Sequence, residues 1–250
     1  MLAPRAVTVS GVKVRAFTQS ALTQTVTTLA QSPGTDVLVG VNAHVCNLAR
    51  RDPDLRGFLD KALNYADGQS VVWSARLLGM PVPQRLATTD VAEPILRSAA
   101  AAGLPIYFFG AQPGIADAAA TILRSRIPGL KLRTHHGYVK DEETAALLTD
   151  IAEHGTKILF VGLGDPTQER WVAAHAEQLP PVVLTCGGLF DWLSGHHRRA
   201  PHWMIDAGLE WLWRFMIEPK RLARRYLVGN PSFMLAVARE RLLLRNRARA

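Results

Sequence analysis

The stretch TKILFVGLGDPTQERW, Thr156 to Trp171, decides the fold. Its first half, through Val161, is an apolar, β-rich run of the kind that fills a strand covered on both faces. Its second half changes chemistry at once. Gly162 and Gly164 make a turn, Asp165 reads as an N-cap, Pro166 as a first helical residue and Gln168 as the capping-box partner. A strand that hands over to a helix in this way is half of a βαβ unit. The glycines let a ligand approach the backbone, and the helix N-terminus favours a phosphate.

Working outward, the same kind of run recurs at DVLVGV (36–41), SVVW (70–73), LPIYFFG (104–110), LKLRTH (130–135) and PVVLTCGG (181–188). Between them lie helical patterns such as DPDLRGFLDKALNYA (52–66) and DVAEPILRSAAAAG (90–103). The alternation predicts an α/β fold: a Rossmann-like, mostly parallel sheet with helices on both faces, spanning residues 1–195. After Leu193 the strand signals stop. Helices are expected over about 201–217, 219–228 and 232–247, with Pro219 and Pro231 near first turns, so residues 196–250 read as a C-terminal helical appendage.

The chain has 250 residues, 48% of them hydrophobic, which is ample for a core, and a net charge of +8. That charge is not spread evenly. Residues 1–195 carry 17 Lys+Arg against 17 Asp+Glu, whereas residues 196–250 carry 12 against 4, so the tail holds the whole excess. Cys46 and Cys186 lie in no metal-ligand spacing, and the first residues lack the apolar core of a secretory signal. The long uncharged run Ser98 to Ala116 is broken by Gly103, Pro105, Gly110, Pro113 and Gly114. These features predict a cytoplasmic protein with reduced thiols, no structural zinc and only peripheral membrane contact.

In an open parallel sheet, ligands bind beyond the carboxyl ends of the strands, so the loops there carry the candidates. Three of these loops hold glycines: Gly110 in GAQPG, Gly162 and Gly164 in GLGDP, and Gly187 in CGGLFDW. Together they suggest a nucleotide, although each alone is an ordinary turn and no strict GxGxxG is present. In NYADGQSVVW, Asp67-Gly68 precedes an expected strand; Asp67 can serve as a general base, or Asp-Gly can be a plain turn. Asn42 offers an amide to a sugar hydroxyl or phosphate, and Arg85 a guanidinium to phosphate; Asp90 reads as a helix cap and His44 as structural. Asp52-Pro53-Asp54 matches a metal-nucleotide DxD, but its place before a helix favours two N-terminal helix carboxylates.

The tail segment EWLWRFMIEPKRLARRY, Glu210 to Tyr226, packs two tryptophans and five Lys/Arg into 17 residues. Helices covering the sheet, nucleic-acid binding, and docking on an anionic leaflet or lipid-linked pyrophosphate all compete as readings. The third uses both the arginines and the aromatics, and no nucleic-acid motif accompanies the second.

With these pieces in place the sequence resembles the WecG/TagA/CpsF glycosyltransferases, glycosyltransferase family 26. The resemblance rests on VNAHVCNLARRD, ADGQSVVW, QRLATTD, FFGAQPG, HHGYV, ILFVGLGDPTQERW, CGGLFDWLSGHHRRAP and GLEWLWRFMIEPKRLARRY, in that order along nearly the whole chain. It implies a bacterial, inverting, metal-independent transferase without cofactor. Such an enzyme moves N-acetylmannosamine, its uronic acid or glucose from a UDP-sugar donor to a polyprenyl-pyrophosphate-linked saccharide at the inner face of the membrane. A homo-oligomer is compatible with it. The resemblance assigns the base to Asp67, pocket roles to Arg85 and Gln168, and membrane or pyrophosphate contact to Arg214, Arg221, Arg224 and Arg225. Two positions depart from the family pattern: Gly40 stands where a Thr is common, and Thr88 where a Gly is expected. Both departures alter the expected pocket lining. A non-catalytic module that binds an anionic polymer or nucleic acid through its tail is the alternative.

Overall fold

The computed structural model describes residues 5–80 and 82–247, apart from the side chains of His202, Asp206, Arg221 and Arg247. The chain enters through a hairpin, β1 (Ala6–Val9) and β2 (Val12–Arg15), turned by Ser10 and Gly11 at positive φ. There follow α1 (Gln19–Leu29), β3 (Asp36–Val41), α2 (Ala43–Ala49), α3 (Pro53–Lys61), β4 (Leu63–Ala66), α4 (Gln69–Leu77), α5 (Thr88–Ala101) and β5 (Ile106–Gly110). Next come α6 (Ile115–Arg126), β6 (Leu132–His135), α7 (Asp141–Glu153), β7 (Ile158–Gly162), α8 (Thr167–His175), β8 (Val182–Thr185) and α9 (Leu189–Leu193). The strands form one sheet in the order β1-β2-β4-β3-β8-β7-β5-β6, in which β1 and β2 pair antiparallel and every other pair is parallel.

Period-two alternation sorts the apolar runs between two faces. Ile106, Phe108, Ile158, Phe160, Val182 and Leu184 point to the face covered by α1, α5, α6 and α9. Tyr107, Phe109, Leu159, Val161 and Val183 point to the other face, under α7 and α8. The register Ile106↔Ile158↔Val182 keeps like-facing residues side by side. Burial on both faces is why these strands read as continuous apolar runs and were legible in the sequence.

One expected strand is a helix. SVVW lies inside α4, where Val71, Val72, Ser74 and Ala75 form a buried stripe at helical spacing, and the strand is instead β4, at the end of a stretch that reads as helix. The correction matters, because Asp67 now follows a parallel strand instead of preceding one. Asp165 is not a helix cap either: its carboxylate accepts from Gln168 Nε2 at 2.7 Å, and α8 begins at Thr167 without a side-chain cap. Asp90 sits in the first turn of α5 and does not cap it, whereas Asp52 does cap α3.

The tail is helical, as expected, but divided differently. α10 (His202–Asp206) and α11 (Glu210–Ile217) are separated at Gly208, φ 72°, a left-handed conformation that ends a helix. From α12 (Pro219–Ala223) the chain runs through a π-helical turn (Arg224–Gly229) into α13 (Asn230–Arg247) without a break. Pro231 has no N–H for the Leu227 carbonyl, and the turn before it takes the wider register. Phe233 and Val237 of α13 are fully buried in the core cluster formed by β1 to β4 and α2 to α4. Among the described residues no helix is long and apolar enough to cross a membrane.

Candidate active site

α2, which follows β3, packs on one face of the sheet, and α9, which follows the adjacent β8, packs on the other. Helices that leave neighbouring strands for opposite faces open a crevice at the strands' carboxyl ends. Asn42 stands on its rim. Its Oδ1 caps α2, accepting from His44 N at 3.0 Å and Val45 N at 3.3 Å, and takes a further bond from Arg225 Nη2 at 3.2 Å. Asp67 stands beside it, just beyond β4. The backbone N–H groups of Asp67 and Gly68 both donate to the Val41 carbonyl, which pins the Asp67 turn to the end of β3. Gly68 allows this closeness, since a Cβ there would lie 2.8 Å from Asn42 Cβ. Asp67 Oδ1 accepts from Thr88 N at 2.8 Å and Thr88 Oγ1 at 3.2 Å, while Asn42 Nδ2 approaches Oδ2 at 3.5 Å.

Two cavities meet at these residues. One, of about 90 Å³, lies among the strand-end loops and the starts of α5 and α9, lined by Gly40, Thr88, Asp165, Gln168, Gly187 and Gly188 among others. The other, of about 250 Å³, lies between α4 and the tail, with Trp73, Arg85, Trp211, Tyr226 and Met234 in its walls. Asn42, Asp67, Arg214 and Arg225 line both. His44 also faces the larger cavity; burial, then the charge of Arg225, push its imidazole down to about 4, so it is neutral at pH 7.

Behind the smaller cavity lies a buried carboxyl pair. Gln168, 3% exposed, ties it to the loops: its Nε2 donates to Asp165 Oδ1 and Glu169 Oε1, and its Oε1 accepts from Gly187 N at 3.0 Å. Burial, then the nearby charge of Asp165, push the Glu169 carboxyl up to about 8. Asp165 is raised too, first by burial, with Arg225 pulling against it and Asp67 adding to it. The tail brings positive charge, from Arg214 and Arg225, to the same walls as Asp67.

The sheet domain and tail are joined by an ion cluster around Glu210, which is 5% exposed. Its Oε2 accepts from Arg85 Nη2 at 2.5 Å, and its Oε1 lies 3.5 Å from Arg199 and 3.7 Å from Arg214. Burial opposes ionisation of Glu210, but Arg214, Arg85 and Arg199 outweigh it and hold its carboxyl below the usual range. Arg85 thus lines the larger cavity with its charge already matched by Glu210 and, at 3.6 Å, Asp90. Arg214 also stacks over the Trp192 ring at 5.0 Å.

The expected site residues therefore separate. Asn42, Asp67, Arg85, Arg214 and Arg225 come together; Gln168 and Gly187 join them through the smaller cavity. Gly110 and Gly162 line neither cavity and serve close strand-end packing: a Cβ on Gly110 would collide with the Gly162 carbonyl, and one on Gly162 would lie 2.8 Å from the Gly187 carbonyl. Gly164, at φ 79°, supplies a left-handed turn. Arg224 is exposed on the outer side of the tail, and the Arg221 side chain lies outside the described residues. Reading the sequence missed Glu169 and Glu210 as site components, and the Thr88 contacts. The two positions that depart from the family pattern, Gly40 and Thr88, are neighbours: a Cβ on Gly40 would stand 3.0 Å from Thr88 Oγ1.

Fold and crevice together define an α/β protein with a crevice at the carboxyl edge of a parallel sheet, roofed by a basic helical tail. Residues 7–247 match the model of the glycosyl transferase WecG/TagA/CpsF family, and the chain belongs to that family. It is a glycosyltransferase of cell-surface polysaccharide synthesis. Membership sets aside the reading as a non-catalytic binding module.

Proposed function

We propose that this glycosyltransferase is a metal-independent, inverting enzyme. It moves N-acetylmannosamine, its uronic acid or glucose from a UDP-sugar to a polyprenyl-pyrophosphate-linked saccharide at the inner face of the membrane. The observation that carries this reading is the shared wall: Asp67, Asn42, Arg214 and Arg225 line both cavities. The UDP-sugar enters at the strand-end loops, and the acceptor lies under the tail, with its pyrophosphate toward the arginines and its lipid along Trp73, Trp211 and Met234. Asp67 accepts the proton of the acceptor hydroxyl as that oxygen attacks the anomeric carbon and the bond to the UDP oxygen breaks. Arg214 and Arg225 offset the charge of the departing diphosphate, the task a metal performs in other transferases. Exposed apolar side chains on the tail, Trp203 at 65% and Leu227 at 68%, support docking on a leaflet.

The test is a screen of UDP-N-acetylmannosamine, its uronic acid form and UDP-glucose against short-chain polyprenyl-pyrophosphate acceptors bearing N-acetylglucosamine or glucose. Asp67→Asn is expected to lower kcat by about 1000-fold or more while UDP affinity changes little. Wild-type turnover in that variant would remove Asp67 from the role of base.

A further inference from the structure

Taking Asp67 as the base, we propose that Thr88 is the positioning residue that aims its carboxylate, and that it does so in a space kept open by Gly40. Thr88 is the first residue of α5, and both its backbone N–H and its hydroxyl reach the same oxygen, Asp67 Oδ1. The Tyr65 hydroxyl stands 2.9 Å from Thr88 Oγ1.

Proton counting orients this chain. An ionised carboxylate only accepts, so the single hydroxyl proton of Thr88 goes to Asp67. Thr88 Oγ1 is then the acceptor for Tyr65, whose hydroxyl must donate. Tyr65 is fully buried, and burial, then the charge of Asp67, push its ionisation far above the usual range, so the proton stays on it. The relay Tyr65 to Thr88 to Asp67 fills Oδ1 with two donors. Oδ2, approached among the described residues by Asn42 at 3.5 Å, keeps its capacity to accept a substrate proton.

Gly40, paired with Tyr65 across β3 and β4, makes the relay fit. A Cβ there would stand 3.0 Å from Thr88 Oγ1, 3.0 Å from the Tyr65 hydroxyl and 3.1 Å from Asp67 Cβ. Gly40 is not among the glycines at positive φ, so it is needed for space and not for backbone conformation. A side chain at position 40 would crowd the Thr88 hydroxyl, which would have to give by a few tenths of an ångström.

Four variants test this, assayed with the UDP-sugar and lipid acceptor that turn over in the screen above. Thr88→Val keeps the shape and removes the hydroxyl. It is expected to lower kcat about 10- to 100-fold, the worth of one hydrogen bond to a charged group, with KM and UDP affinity nearly unchanged and Tm lowered by a few degrees, because the buried Tyr65 hydroxyl loses its acceptor. Thr88→Ser is expected to recover most of that loss. Gly40→Thr should impair the enzyme by crowding the relay, and adding Thr88→Gly to it should restore at least about tenfold of the activity lost. Wild-type kcat in Thr88→Val, equal losses in the Val and Ser variants, or a double variant no better than Gly40→Thr would each overturn the proposal. The Asp67→Asn result keeps the two readings apart: an inactive Asp67→Asn beside a fully active Thr88→Val rejects the positioning role alone.

Discussion

The sheet domain and the helical tail approach one crevice with opposite charge and opposite packing. Through residue 195 the charges balance, most apolar side chains are inside, and the smaller cavity is lined by the carboxyl groups of Asp67 and Asp165, with Glu169 buried behind them. Beyond it the balance is 12 cations to 4 anions, and large apolar side chains such as Leu227, Leu235 and Leu243 are more than 60% exposed. The first region lends the crevice Arg85, which is paired with Asp90, and the second adds Arg214 and Arg225, so the cations that line the crevice come from both regions.

The tail is nevertheless more than a loose cover, and the largest effect is expected where it enters the core. Phe233→Ala removes a fully buried ring between α13 and the sheet domain and should cost about 3–5 kcal/mol, read by chemical denaturation. A small loss would mean that the regions are less interdependent than their packing shows. Glu210→Ala comes next. It leaves Arg85, Arg199 and Arg214 crowded without their shared anion, and should cost about 3 kcal/mol and expose the tail to limited proteolysis.

Within the tail, Arg225→Ala should lower kcat/KM about 100-fold, whereas Arg224→Ala, an exposed neighbour outside both cavities, should stay within about twofold. Equal losses would show that net tail charge, and not placement at the wall, is what matters. The smallest effect belongs to the sheet side. Glu169 is raised from the ordinary 4.5 to about 8, so the folded state holds its proton more tightly than the unfolded chain does. That contribution is complete below about pH 4.5 and is lost as the pH rises through 8. Wild-type Tm should therefore fall between pH 6 and 9, and Glu169→Gln, neutral throughout, should flatten the fall by about 1 kcal/mol, or 2–4 °C.

Legibility followed the range of the interactions. β3, β5, β7 and β8 were readable because strands buried on both faces are runs of consecutive apolar residues, and the edge strand β6 because Leu130 and Leu132 alternate with Lys131 and Arg133. SVVW misled because its β-branched residues resemble a strand, while the stripe that makes it a helix extends to Ser74 and Ala75. The β1–β2 hairpin went unread; it is two strands of four residues each around Ser10-Gly11. Asp67 stood out as a carboxylate in a glycine turn, but its setting at the end of β4 did not.

What the sequence determined by itself was the α/β class and the basic helical tail, because turn chemistry, periodicity and charge are carried by near neighbours; it offered Asp67, Asn42, Arg85 and the tail arginines as candidates, and Gln168 through the family resemblance. Tertiary structure alone decided how they are used. Arg225 reaches Asn42 across 183 positions, Glu210 claims Arg85 across 125, and Thr88 binds Asp67 in room left by Gly40. Such pairings depend on which elements the sheet order and the docking of α13 bring together, and on ångström-scale space that no local pattern records.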